Sequence, residues 1–329
     1  MYSIKDVADK AGVATSTVSK VLNNYPNVSA ATKKKVNEAI KELNYVPNAV
    51  AAALSSKQSS RVAILMNQTT QTTAIDEIDM QYLTGAIVKA KELGLDVITI
   101  FFSMLQDKTV DEIAIYLRSQ SVKGLVIYGL SREDKTLIEL INREEFKCVL
   151  IDAPIVNPST SCVWINQAQA QYDVAKSVLS TNPARSILYI SGKENGFVTA
   201  ERRKGMQRLC EESGIELTEM CGNFSELQAR NITMEHANNF DMIVCASDIM
   251  AIGAMKALTE MDIFRPVCGF DGITLMGYVG KQMATVKQDF YRLSSIAMSE
   301  IRDLLNGGEG REVISEHEIV RLQYMDIIC

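Results

Sequence analysis

Histidine, tryptophan and proline are scarce in this chain: two, one and six among 329 residues. His236 and His317 have no Cys, Asp or Glu partners at ligand spacing, so no metal centre is expected. Seven cysteines (148, 162, 210, 221, 245, 268 and 329) lack paired spacing, and most sit in apolar runs such as Ile243-Val244-Cys245-Ala246. Buried free thiols are expected from that pattern, as in a reducing compartment. No run of about 18 apolar residues exists, so no membrane-spanning helix is expected. The N-terminus lacks a cationic stretch followed by an apolar one, so no secretory signal is read there and a cytoplasmic location is expected. Enzyme signatures are missing too. No Gly-x-Gly-x-x-Gly follows a strand pattern, and neither a phosphate-loop lysine motif nor a nucleophile elbow occurs. Ile190-Ser191-Gly192-Lys193-Glu194-Asn195-Gly196 carries glycines at other spacings. No catalytic residue and no cofactor are expected.

Arginine is absent from the first sixty residues, which hold eight lysines and four acidic residues, a net charge of +4. The whole chain carries −6, so residues 61–329 carry −10. A basic head on an acidic body points to phosphate contact by the head alone. Within the head, Ile4, Val7, Ala8 and Ala11 recur at helical spacing, and Gly12 suits a left-handed helix end. A second helix follows, with Thr15, Ser16 or Thr17 as its cap and Val18, Val21 and Leu22 packing back. Helix, short turn and helix form the plan that lays a second helix in the DNA major groove. A third helix starts after Ser29 and runs to about Leu43, burying Val36, Ala39, Ile40 and Leu43. The alternative is a small helical bundle with a solvated lysine face. Pro47 to Leu54 reads as a short helix, marginal without a partner, and Ser55 to Ser60 as a tether. A plain linker is the alternative there.

From Arg61 onward apolar strands alternate with amphipathic helices. Strands are read at 62–66, 97–101, 124–128, 148–151, 186–190, 242–245 and 267–270, and helices at 82–93, 200–213 and 249–261. Such alternation implies parallel sheets covered by helices, and two successive sets imply two similar subdomains. The expected fold class is therefore α/β: an all-α helix-turn-helix headpiece plus two doubly wound parallel-sheet subdomains. Ligands bind beyond the carboxyl ends of such strands. That places a candidate site at Asn67, Asp152, Ser191, Ala246-Ser247-Asp248 and Asp271.

The head is similar to that of the lactose-repressor (LacI/GalR) family of bacterial transcription regulators. The likeness rests on Ile4-Lys5-Asp6-Val7-Ala8, Ala11-Gly12-Val13, Ser16 to Asn23, Val28-Ser29 and the hinge-like Leu43 to Ala51. In the body it rests on Val122 to Ile127, Arg202-Arg203-Lys204-Gly205, Cys245 to Ala254, Gly269-Phe270-Asp271-Gly272 and Thr285-Val286-Lys287-Gln288. The resemblance implies subdomains like those of periplasmic sugar-binding proteins. The implied boundaries are a headpiece at 1–46, a hinge helix and linker at 47–60, and an effector and dimerisation domain at 61–329. Its N-subdomain would span about 61–160 and 291–318, its C-subdomain about 161–290 and 319–329.

By this resemblance Thr15 and Ser16 match the base-reading pair, Lys20 becomes a phosphate contact, and Leu54 becomes a minor-groove wedge. Thr17, Asn23 and Asn48 complete the DNA-contact candidates. Asp271, Arg202 and Phe224 match the family's ligand-contacting aspartate, arginine and stacking aromatic, with Asn67 and Ser247 beside them. Ser247 stands where the family usually has Asn. Asn166-Gln167 replaces an Asp-Asn pair, and Asn67 to Thr73 is polar where an aromatic segment is common. The implied function is that of a repressor binding operator DNA, controlled by a small carbohydrate-like effector, with no membrane partner. No leucine heptad follows Cys329, so a homodimer is expected. A phosphosugar, a nucleobase, a non-sugar corepressor, a phosphorylated carrier protein, or a solute-binding module without gene regulation remain the alternatives.

Overall fold

The computed structural model describes residues 2–22, 28–43, 45, 61–67, 73–279 and 283–322, the side chains of 73–76 excepted. Asn23, Asn48, Leu54 and the hinge at 47–60 lie outside the described residues. The chain divides into two compact units, Met1–Ser59 and Ser60–Cys329.

In the first unit, helix α1 (Ile4–Ala11) opens on a capping box. Asp6 N donates to Ser3 Oγ at 3.3 Å, and Ser3 N donates to Asp6 Oδ2 at 2.6 Å. Gly12 ends the helix at φ 66°, a conformation that a β-carbon disfavours. Helix α2 (Thr15–Leu22) follows at once. Thr15, Ser16 and Thr17 occupy its first turn and are not its cap: Thr17 N and Val18 N donate to Ala14 O at 2.8 and 3.2 Å. Helix α3 (Ala30–Glu42) starts from Ser29, whose side chain accepts from Thr32 N. Val7, Ala8, Val18, Val21, Val36 and Ala39 form the buried centre, with Ile40 and Leu43 half-buried at its edge.

The second unit holds two sheets of one plan. The first comprises β1 (Arg61–Met66), β2 (Asp96–Phe101), β3 (Val122–Tyr128), β4 (Lys147–Ile151), β5 (Thr160–Ile165) and β11 (Glu312–Ser315), in the order β11-β5-β4-β3-β1-β2. All its pairings are parallel. The second comprises β6 (Ser186–Ser191), β7 (Glu216–Cys221), β8 (Met242–Cys245), β9 (Val267–Cys268), β10 (Ala284–Lys287) and β12 (Glu318–Arg321), in the order β12-β10-β9-β8-β6-β7. Here the edge strand β12 runs antiparallel to β10, so this sheet is mixed where an all-parallel one was expected.

Helices cover both sheets: α4 (Thr73–Leu93), α5 (Val110–Ser119), α6 (Lys135–Asn142), α7 (Gln167–Leu179), α8 (Phe197–Ser213), α9 (Glu226–His236), α10 (Asp248–Glu260) and α11 (Phe290–Leu305). Strand β5 belongs to the first sheet, so the chain crosses to the second lobe after Ile165, a few residues beyond the expected 160. It returns before α11 and crosses again between β11 and β12. Five described cysteines (148, 162, 210, 245, 268) are buried, but Cys221, at the end of an edge strand, is exposed. Among the described residues no helix is long and apolar enough to cross a membrane.

Candidate functional site

On α2, Thr15, Ser16 and Lys20 are exposed and Thr17 is half-buried. Val18 and Val21 face the core, so the polar residues line the opposite face of the same two turns.

In the body, a cavity of about 1090 Å³ opens at the carboxyl ends of both sets of strands. Asn67, Arg202, Phe224, Ser247 and Asp271 all line it. Asn67 sits where strand order reverses between β1 and β3, and its Nδ2 donates to Gly129 O at 3.0 Å. Ser247 is buried and caps α10, accepting from Met250 N at 3.4 Å. Two strand-end residues serve elsewhere. Ser191 is buried and donates to Met220 O at 3.4 Å. Asp248 is fully buried and accepts from Gly272 N at 2.7 Å, Ile273 N at 2.9 Å and Thr285 Oγ1 at 2.5 Å, which fixes the turn carrying Asp271.

The floor of the cavity is a chain of polar groups. Arg202, 4% exposed, donates through Nε to Gln167 Oε1 at 2.8 Å and through Nη1 to Ala246 O. Its guanidinium carbon lies 3.6 Å from the centre of the Phe270 ring, and Nη2 lies 3.7 Å from Asp271 Oδ1. Gln167 passes the chain on, donating to Asp152 Oδ1 at 2.9 Å. On the other side, Gln288 Nε2 donates to Asp271 Oδ1 at 3.0 Å, which leaves Gln288 Oε1 without a hydrogen-bond partner. Two half-buried carboxylates thus flank one guanidinium, Asp271 directly and Asp152 through Gln167. Burial raises the Asp271 pKa to about 6; Arg202 opposes the rise and Asp152 adds to it. Burial raises the Asp152 pKa as well, against the pull of Arg202.

The backbone is strained at this place. Asp152, Asn223, Phe224 and Asp271 all have positive φ (60°, 54°, 56° and 119°), and all four line the cavity. Each such residue costs on the order of 1–3 kcal/mol, and such strain gathers at functional sites. The Phe224 ring lies against Gly192, where a β-carbon would come within 2.1 Å of ring Cζ. Sequence reasoning missed Gln288, which lines the cavity, and Gln167, fully buried beneath it. Both are visible in the sequence, one as a departure from the family pattern and one within a family motif. Tyr82, Tyr128 and Asn223 also line the cavity and gave no signal.

The lobes also touch beside the cavity. Thr274 N and Oγ1 donate to Glu77 Oε1 at 3.1 and 2.6 Å. Asn195 Nδ2 donates to Glu133 Oε1 at 2.7 Å, and Arg132 N donates to Asn195 O at 3.1 Å.

Two family models match the chain. Residues 3–48 match bacterial regulatory proteins of the lacI family, and residues 80–286 match the periplasmic binding proteins and sugar binding domain of the LacI family. The chain belongs to the LacI family. The family consists of transcriptional regulators, not enzymes, and this member is a helix-turn-helix, DNA-binding regulator with an effector-binding body. The HTH-type transcriptional regulator RegA of Clostridium saccharobutylicum is 29% identical over 337 residues, covering 97% of each chain. The HTH-type transcriptional repressor PurR of Photobacterium profundum is 29% identical over 315 residues, covering 91% of this chain and 90% of that protein. Among solved structures, the lac repressor dimer bound to operator and the anti-inducer ONPF superposes with a TM-score of 0.82 at 25% identity, over 97% of this chain and 98% of that one. The regulator CelR in complex with cellobiose shares the fold, with a TM-score of 0.70 at 23% identity over 98% of this chain and 99% of that one.

Proposed function

We propose that this LacI-family member is a homodimeric repressor whose effector is carbohydrate-like and occupies the cavity lined by Asn67, Arg202, Phe224, Ser247 and Asp271. One observation carries the reading: these five residues, from both lobes, meet at the strand ends around the Asp152-Gln167-Arg202-Asp271-Gln288 chain. Asp271 and Asp152 accept hydroxyl hydrogen bonds, Gln288 Oε1 adds a neutral acceptor, and Phe224 supplies an apolar face for a sugar ring. Solved relatives carrying cellobiose or ONPF support the same class.

In this reading 1–46 is the headpiece, 47–60 the hinge and 61–329 the effector domain. Thr15, Ser16 and Thr17 read base edges in the major groove, and Lys20, Asn23 and Asn48 hold the backbone. Leu54 wedges into the minor groove from a hinge helix that folds against its twin. Two-fold symmetry of the dimer is mirrored in a near-palindromic operator.

Selection of the purified protein on random duplexes, with and without candidate sugars, tests this. Enrichment of a near-palindrome, altered by one sugar, is the expected result. Asp271→Ala should abolish the sugar response and keep operator binding; a retained response removes Asp271 from the site. Leu54→Ala should weaken specific binding while leaving nonspecific, salt-sensitive binding nearly unchanged, and equal loss of both would count against the wedge.

A further inference from the structure

Three short crossings join the lobes, and their ends lie side by side. The first is Asn166, between β5 and α7; the second is Gln288-Asp289, between β10 and α11; the third is Glu316-His317, between β11 and β12. Ile165 and Ser315 are register partners on the first-lobe side, as are Lys287 and Glu318 on the second-lobe side. The first two crossings run into helix caps. Asn166 Oδ1 accepts from Gln169 N at 2.9 Å, and Asp289 Oδ1 accepts from Arg292 N at 2.8 Å. The third runs into an edge strand and is held by another means: His317 Nε2 lies 3.1 Å from Asp173 Oδ2 on α7.

This pair belongs to a longer polar chain. Asp173 Oδ1 accepts from Gln169 Nε2 at 2.7 Å, and Gln169 Oε1 accepts from Arg208 of α8 at 2.8 Å. The His317 side chain is 17% exposed and that of Asp173 35%, so protons reach the pair while water screens it only in part. The charges about it are Asp173 and Lys176 on α7, Arg208 on α8, Glu316 and Glu318 on its own segment, and Lys287 on β10 opposite Glu318. A carboxylate only accepts, so Nε2 carries the hydrogen and Nδ1 is where a further proton is taken up. Histidine is the side chain that ordinarily gains this proton near neutrality. The ring is then a cation, and its hydrogen bond to Asp173 becomes charge-assisted and roughly twice as strong. The proton thus decides whether both residues of the crossing bend or Glu316 alone.

We propose that His317 and Asp173 form a proton-operated tie on the third crossing, which sets how freely the lobes turn on one another and thereby the affinity for operator. The step from lobes to operator rests on the function proposed above. The step from proton to crossing rests on this pair alone.

Hydrogen exchange of the full-length protein, corrected for the intrinsic effect of pH, reads the crossing directly. Protection of the amides in 314–320 should fall at least fivefold from pH 6 to pH 8 in the wild type and stay level in His317→Gln, which keeps a neutral donor. Protection that changes equally in both overturns the tie. Operator affinity is then measured at the same two pH values on the duplex enriched from the random pool. Residues 1–60 hold no histidine, and His236 lies at the end of α9 beside Glu235. Asp152 and Asp271 add a dependence of their own, so the quantity read is the part that His317→Gln removes. That part should be at least threefold. Asp173→Asn should remove the same part, the double variant no more than either, and His236→Gln none of it. A crossing that responds to pH with no such part in operator affinity overturns the regulatory half. If no duplex is enriched, the function proposed above fails, and the exchange measurement still decides the tie.

Discussion

Asp271 makes the cavity sensitive to protons. Its carboxyl faces Arg202, Asp152 and the amide of Gln288, with Asp248 behind the turn that carries it. Burial raises its pKa to about 6, so near pH 5 the folded protein holds a proton there that the unfolded chain, with its ordinary carboxyl, has released. This group's contribution to stability is therefore fully present below the unfolded value and is lost as pH rises through about 6. A sugar hydroxyl donates best to the ionised carboxylate, so effector binding opposes that protonation. Effector affinity should fall roughly tenfold from pH 7 to pH 5, following the ionised fraction of a group that titrates near 6. Calorimetry across that range measures it, and Asp271→Asn should leave only the part of the dependence that Asp152 carries. A wild-type affinity independent of pH would mean that the effector does not meet this carboxyl.

Helix packing in the body depends on a few glycines. In α8, a β-carbon on Gly205 would stand 2.1 Å from Ala168 O of α7, and Gly253 of α10 faces Glu226 O of α9 in the same way at 2.2 Å. Gly205→Ala must push α7 and α8 apart. A cost of about 1–3 kcal/mol is expected, seen as a lowered Tm in calorimetry; an unchanged Tm would show that the helices slide freely. At this scale the sequence was readable where one physical signal dominated. Strands β1, β3, β4 and β8 are continuous apolar runs, buried on both faces, and were found nearly to the residue. Helix α4 begins at Thr73 and not Tyr82, because Asp76, Glu77 and Asp79 interrupt any apolar stripe in its first turns. The edge strand β7 is half-buried with charges at 216 and 219, so it gave no signal. Strand β9 stops at Cys268 because the chain turns through Gly269, Phe270 and the positive φ of Asp271. Asp152, Arg202 and Asp271 were legible in the sequence, but the two glutamines joining them were not, because Gln167 and Gln288 meet these groups only through tertiary contacts and a neutral glutamine announces nothing by composition.

The two lobes of the body are joined by three chain crossings and by direct contacts on either side of the cavity. A ligand that touches Asp152 in one lobe and Asp271 in the other acts on the angle between them. It competes or cooperates with Glu77 and Thr274, which already bridge the lobes at 2.6 Å. Thr274→Val removes the hydroxyl donor to Glu77 and keeps the backbone donor at 3.1 Å, so the bridge weakens without leaving a buried group unpaired. If lobe closure couples effector to operator, the ratio of operator affinities with and without effector should shift a few-fold in this variant. Linkage requires the operator to change effector affinity by the same factor. Both ratios are measurable by titration, and small-angle scattering of the free protein reports any accompanying change in lobe separation. Altered scattering with unaltered ratios would place the coupling outside this bridge. Ratios that move together, by one factor, would make the Glu77–Thr274 contact part of the switch.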